Sequence, residues 1–329
     1  MREIPFYAVL AAILFIACDR EKTETIFRTA ETDFRSITTR SLLTEADIEN
    51  KKTEITLAAY GEDGKLAACG HFTKNLESLA LDLESGRNYT IYALINMGDQ
   101  TGAIPRSESA LSTFTYRIPS YSDGSESIAS RGIPMTGKLS YPGAGTVIPV
   151  ERLLAKVTVL VFCEWPGAAI RSARVCQLNR ILRPFSKGVH EEDWDQLEFH
   201  EGTGTASGTF VFYVPENRQG TIDGIESSRD KSPDRNDRIN VRKNQLTYLE
   251  TIVEGTGIFV GSISYRSYLG GNEISDFNIH RNASYNWTIR YMKDGLQYND
   301  WKHDNNLIDT QSGLHIDDGW DDGGEEELH

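Results

Sequence analysis

The sequence predicts an all-β protein, two tandem β-sandwich domains behind an N-terminal lipoprotein signal peptide. Three observations carry this expectation. Short apolar stretches alternate with polar positions and are punctuated by Gly, Pro, Asn and Asp, the pattern of antiparallel strands and their turns. The clearest stretch places Val157, Val159, Val161 and Cys163 on one side of an extended chain and Lys156, Thr158, Leu160 and Phe162 on the other. Its β-branched face suits a pleated surface and not a helix. The length, 329 residues, is that of about two domains.

Composition narrows the function classes. A formal net charge of −14 without a basic stripe excludes nucleic acid as a partner. A hydrophobic content of 39% supports packed cores and is low for a membrane-embedded chain. Of the four cysteines, Cys69, Cys163 and Cys176 are an odd set in apolar strand contexts, expected as buried thiols and not as a disulfide framework. Only spacing speaks for a Cys163–Cys176 bridge.

Residues 1–17 read as a signal peptide. Arg2 supplies a positive charge, and the apolar run from Phe6 to Ala17 is too short to span a bilayer. Ala17 before Cys18 resembles a bacterial lipobox, although Phe15 stands where Leu is usual. Cys18 is therefore the expected lipidation site, with several acyl chains holding the protein to membrane lipid. The alternative is an ordinary signal peptide with a chance cysteine. Residues 18–50 have little apolar periodicity and read as a tether or leader containing Arg28, Arg35 and Arg40.

Residues 51–150 form the expected first sandwich. Glu54 to Tyr60, the Gly61–Gly64 turn and Lys65 to Phe72 make a hairpin. Leu79, Leu81 and Leu83 alternate with Ala80 and Asp82. Tyr89 to Asn96 is apolar on both faces and so is expected at the sheet centre. Long loops follow over 98–131, with one helical turn at Ser107 to Leu111. Turn residues from Gly132 to Gly145 close this unit and lead into the Lys156–Cys163 strand.

Residues 151–293 form the expected second sandwich. The Lys156–Cys163 strand is expected to pair next with Ile170 to Leu182. Pro184 to Gly208 is acidic and reads as loop. Thr209 to Pro215, Gln245 to Val253 and Gly257 to Tyr265 read as strands, with a polar surface loop over 221–244. The last strand places Tyr285, Trp287, Ile289 and Tyr291 on one face. Residues 294–329 are an acidic tail with apolar points at Leu307, Ile308, Leu314, Ile316 and Trp320.

No sequence motif points to catalysis. The HExxH, GxSxG, P-loop and dinucleotide-binding patterns are missing, and the seven histidines lack metal-ligand spacing. Asp230, Asp234 and Asp237 lack the glycine of an EF-hand loop, and the tail aspartates Asp317, Asp318, Asp321 and Asp322 lack its spacing. Neither cofactor nor metal is expected, and the chain reads as a non-enzyme.

Four stretches resemble the fimbrillins and fimbrial lipoproteins of Bacteroidales, the subunits of type V pili. They are Asn88-Tyr-Thr-Ile-Tyr-Ala-Leu-Ile-Asn-Met-Gly-Asp99, Gly132-Ile-Pro-Met-Thr-Gly137 with Ile148 to Val159, Tyr213-Val-Pro-Glu-Asn-Arg-Gln-Gly220, and Tyr268 to Tyr291. The resemblance implies two transthyretin-like Greek-key sandwiches, an outer-membrane lipoprotein exposed at the cell surface, and other pilus subunits as partners. It further implies that an arginine-directed protease removes a leader, which in this chain would end at Arg40. It implies, too, that a C-terminal strand is donated to the next subunit; here Leu307, Ile308, Leu314, Ile316 and Trp320 would be the donor residues. The residues alone leave two plainer readings open, linker arginines and an unstructured tail. They also leave open a non-polymerising surface lipoprotein that binds host protein or glycan through sandwich loops.

Overall fold

The computed structural model describes residues 22–29, 48–74, 76, 79–84, 86–119, 128, 130–141, 147–163, 167–187, 196–205, 207–226, 230–231, 245–256, 260–272 and 274–291. They are almost all strand and turn, in two packed units.

The first unit faces two sheets against each other. Five strands, β2 (Ile55–Gly61), β3 (Leu66–Phe72), β5 (Tyr89–Ile95), β7 (Met135–Tyr141) and β9 (Val150–Arg152), pair antiparallel in the order β3-β2-β5-β7-β9. β5 is central, as its two apolar faces predict, and only Thr90 of its seven residues escapes full burial. The opposing sheet has the order β4-β1-β8, from β4 (Leu79–Glu84), β1 (Lys22–Thr29) and β8 (Val147–Ile148). Leu79, Leu81 and Leu83 turn inward from β4 while Asp82 faces solvent. A 3-10 turn at Glu108–Thr113 falls within the expected loop region.

Within residues 18–50, read as a tether or leader, the structure places a strand, β1. Its sequence, Lys-Thr-Glu-Thr-Ile-Phe-Arg-Thr, holds three Thr, an Ile and a Phe in eight residues, which is strand composition. Periodicity failed to reveal it because threonines stand where apolar residues would mark a face.

In the second unit β10 (Leu154–Cys163) lies between β14 (Ser207–Pro215), antiparallel, and β19 (Ser284–Tyr291), parallel. The opposing sheet has the order β13-β11-β16-β17, from β11 (Ala168–Asn179), β13 (Gln196–Thr205), β16 (Tyr248–Thr256) and β17 (Val260–Tyr268). Val157, Val159, Val161 and Cys163 of β10 are buried, as are Tyr285, Trp287, Ile289 and Tyr291 of β19, in agreement with their alternation. Each aliphatic side chain so buried contributes roughly 1.5–3 kcal/mol.

Two expectations for this unit fail. β10 does not pair with β11; the chain crosses after β10, through Gly167 at φ 79°, to the facing sheet. Both strands have one apolar face, so each can line one wall of the same core. Pro184 to Gly208 is not wholly loop, because β13 pairs with β11 within it, Leu197 opposite Leu178 and Phe199 opposite Val175. The surrounding acidic residues masked that two-residue alternation. A bulge at Gln177 (φ 58°) explains the imperfect alternation of β11 and buries both Val175 and Cys176.

Short ribbons finish the architecture: β6 (Tyr116–Arg117) with β12 (Ile181–Leu182), joining the two units, and β15 (Asn217–Thr221) with β18 (Asp276–Ile279). No described helix is long and apolar enough to cross a membrane.

Burial pushes the phenols of Tyr60, Tyr248 and Tyr285 up from 10.0 to about 12. Folding therefore holds these protons more tightly than the unfolded chain does. The stability they contribute is intact below pH 10 and is lost as pH climbs toward 12. An alkaline titration should lose its β circular-dichroism signal over that interval, with tyrosinate absorbance rising in the same step. Gradual ionisation with the sheet signal retained would contradict this.

Candidate functional site

No group of three or more His, Cys, Asp or Glu among the described residues could hold a metal ion. His71 serves the β2–β3 hairpin, its Nδ1 3.1 Å from Thr56 Oγ1 and its Nε2 3.7 Å from Glu54. Cys69, Cys163 and Cys176 are not joined in a disulfide, and burial, with Asp99 nearby, pushes the Cys69 thiol upward.

The feature with functional geometry is the slot that β1 fills. β1 pairs antiparallel with β4 from Lys22↔Glu84 to Phe27↔Leu79, then parallel with β8 at Arg28↔Val147 and Thr29↔Ile148. It is thus the middle strand of its sheet, although it comes first in the chain and before Arg40. The slot's floor is apolar: Leu79, Leu81 and Leu83 belong to the core, and Gly70 of β3 leaves room for Leu81. Without β1, β4 and β8 would each lose a ladder of backbone hydrogen bonds.

Of the residues expected to act, Cys18, Arg40, Leu307, Ile308, Leu314, Ile316 and Trp320 lie outside the described residues. The structure instead assigns roles to the four signature stretches. Asn96 and Gly132 meet at the entry to β2. Asn96 is 1% exposed; its Nδ2 donates to Lys51 O at 2.7 Å and Ile133 O at 2.8 Å, and its Oδ1 accepts from Thr53 N at 2.9 Å. Gly132, at φ 89°, passes so close that a Cβ would sit 2.4 Å from Lys51 O and 2.5 Å from Asn96 Nδ2.

The other two stretches meet at Arg281. Its guanidinium is bound by Glu216, itself bridged to Arg218 at 2.9 Å, and donates to the carbonyls of Arg183, Pro184 and Ser186 at 3.2, 3.3 and 2.8 Å. Around it, Asn217 Nδ2 donates to Gln245 O at 2.8 Å, and Asn278 Oδ1 accepts from Gly220 N at 2.8 Å. The captured 183–186 turn presents Phe185 edge-on to Tyr92 of the first unit, with ring centroids 5.1 Å apart. These signature residues hold turns and joints through partners distant in the chain, which spacing alone could not reveal.

Removing Arg281 leaves three carbonyls and one oxygen of the buried Glu216 carboxylate without a donor. Arg281→Ala should destabilise the protein by roughly 3–5 kcal/mol in urea unfolding. The double variant Arg281→Met with Glu216→Leu should recover only the part of that loss due to the unpaired carboxylate oxygen, because the three carbonyls still lack a donor. A single variant within about 1 kcal/mol of wild type would refute this assignment.

Residues 212–289 match a family model described as a domain of unknown function, DUF4906. No curated protein matches the sequence. Among solved structures, a candidate cell adhesion protein of Bacteroides eggerthii superposes with a TM-score of 0.58 at 13% identity, covering 90% of this chain and 95% of that one. One from Parabacteroides distasonis gives 0.57 at 11% identity, covering 90% and 96%. The tip fimbrial protein Mfa3 of Porphyromonas gingivalis gives 0.53 at 12% identity, covering 89% and 97%. The similarity is one of fold, and it extends over nearly the whole length of each partner: this chain has the two-sandwich architecture of these adhesion and tip fimbrial proteins.

Proposed function

We propose that the chain is a lipid-anchored subunit of a cell-surface fimbrium that joins other subunits by strand addition. The carrying observation is the position of β1, the middle strand of the β4-β1-β8 sheet and, among the described strands, the one nearest the amino terminus. Cleavage after Arg40 would sever β1 covalently from the rest of the fold. The strand could then leave and expose two backbone edges above Leu79, Leu81 and Leu83. An incoming strand would restore the hydrogen bonds, and its alternate side chains would read the floor. The tail residues Leu307, Ile308, Leu314, Ile316 and Trp320 are the donor candidates. Acylation of Cys18 would hold an unprocessed chain at the outer membrane, as an anchor requires; processing would free a tip or shaft subunit. The fold shared with adhesion and tip fimbrial proteins supports this reading.

One observation favours a second reading. With β1 in place the sheet is completed from within the chain, as expected of a surface lipoprotein that binds host protein or glycan without polymerising.

Processing separates the two. Treatment with an arginine-specific protease should yield a mature start at Ser41, release of the β1 peptide, and stable uptake of a synthetic peptide spanning residues 305–322. Arg40→Ala should remain uncut there, stay monomeric and take up no peptide. A processed chain that remains monomeric and ignores the peptide would sink the polymerising role. Mass spectrometry of the native protein that finds an acylated Cys18 on an uncut chain would assign it as an anchor.

A further inference from the structure

Downstream of Arg40, the chain is fastened to the second unit before it enters β2 of the first. Glu49 is 4% exposed, and its Oε1 lies 2.9 Å from Lys156 Nζ on β10 and accepts from Tyr213 OH on β14 at 3.1 Å. Arg152, also 4% exposed, donates through Nε to Glu49 O at 3.2 Å and through a terminal nitrogen to Asn50 Oδ1 at 3.1 Å. Its other terminal nitrogen donates to Asn282 Oδ1 at 3.3 Å, and Asn282 N donates to Leu154 O at 3.1 Å. A buried carboxylate is stable only while it remains paired, so Glu49 cannot leave this place cheaply.

Two residues later comes the Asn96 node, which holds Lys51 O and Thr53. The peptide bonds after Lys51 and Lys52 are thus bracketed by two buried polar attachments. A protease must unfold several residues around the bond it cuts, so such a bond opens only as fast as its attachments do.

We propose that the Glu49 clasp sets the downstream limit of amino-terminal processing: it seals the bonds after Lys51 and Lys52 and moors the mature amino end to the second unit after the leader is gone. The clasp is built from β10, β14, the 281–282 turn and Arg152, none of which belongs to the slot that β1 fills. Leader removal therefore leaves the joint between units intact. This rests on the proposed processing only for the upstream cut; closure of the lysine bonds is measured separately.

The test is limited trypsin digestion of the full chain, with the amino-terminal peptide of the resistant fragment identified by mass. Wild type should keep residues 48–52 and lose them only at urea concentrations that unfold the whole chain. Glu49→Gln should be cut after Lys51 or Lys52 at least about tenfold faster without denaturant. Tyr213→Phe, which removes one hydrogen bond and keeps the charge pair, should shift in the same direction by less, and it decides the matter if Glu49→Gln does not fold. Loss of residues 48–52 from wild type without denaturant would overturn the proposal, as would wild-type protection in the folded variants. A processed chain that fails to polymerise would defeat the strand-addition reading and leave this result standing.

Discussion

A strand edge is a row of backbone donors and acceptors that must be paired or wetted, and the edge of β4 governs how this molecule behaves. Among the described strands, β4 pairs with β1 alone. Its inward side is leucine and its outward side Asp82, so the edge lies over an apolar floor. Emptying the slot would bare three leucines and two ladders together. Such a surface recruits another strand, its own or a neighbour's. The pairing is unequal, six register positions with β4 and two with β8, so β4 supplies most of the grip. Covalent continuity adds to it by keeping the local concentration of β1 high, as any intramolecular tether does. Cutting that continuity changes no contact in the sheet and removes this one advantage. A rival strand from another chain then competes on pairing alone.

The parts of the fold legible in the sequence were those where packing enforces a period of two. β10 and β19 line one wall of the second core, and every second residue had to be apolar. β5 is covered on both sides, and its unbroken apolar run said so. Pairing order was illegible, because β10 and β11 have equally good faces and nothing local states whether they are neighbours or opposites. β13 was hidden by acidic residues around Leu197 and Phe199. β1 was hidden by threonines, which favour strands without looking apolar. At the site, the expected donor and processing residues were read from composition and resemblance; the slot between β4 and β8 needed the register.

Signature residues show a different limit. Asn96, Gly132, Glu216 and Arg281 stood out as motif letters, yet their partners are far away in the chain. Asn96 reaches Lys51 and Ile133, and Arg281 reaches Arg183 and Glu216. Gly132 is required by what passes above it and not by its own turn alone. Local reading recovers that such a residue is special and misses what it holds.

The joint between the units adds polar attachments to an apolar core that runs through both. Buried pairs such as Lys156–Glu49 and Arg281–Glu216 gain little net free energy over well-packed aliphatic side chains, because desolvation offsets their attraction. Their difference from an apolar seam lies in direction. A guanidinium that serves three carbonyls and a carboxylate fits one arrangement of the 183–186 turn, and Phe185 then meets Tyr92 at one angle. The β6–β12 ribbon fixes the same joint by backbone pairing. Apolar surfaces slide over one another at small cost, whereas the Glu49 attachments to β10 and β14 and the β6–β12 pairing would break if the units rotated. Two sandwiches tied in this way would keep their relative orientation through the strand exchange proposed above.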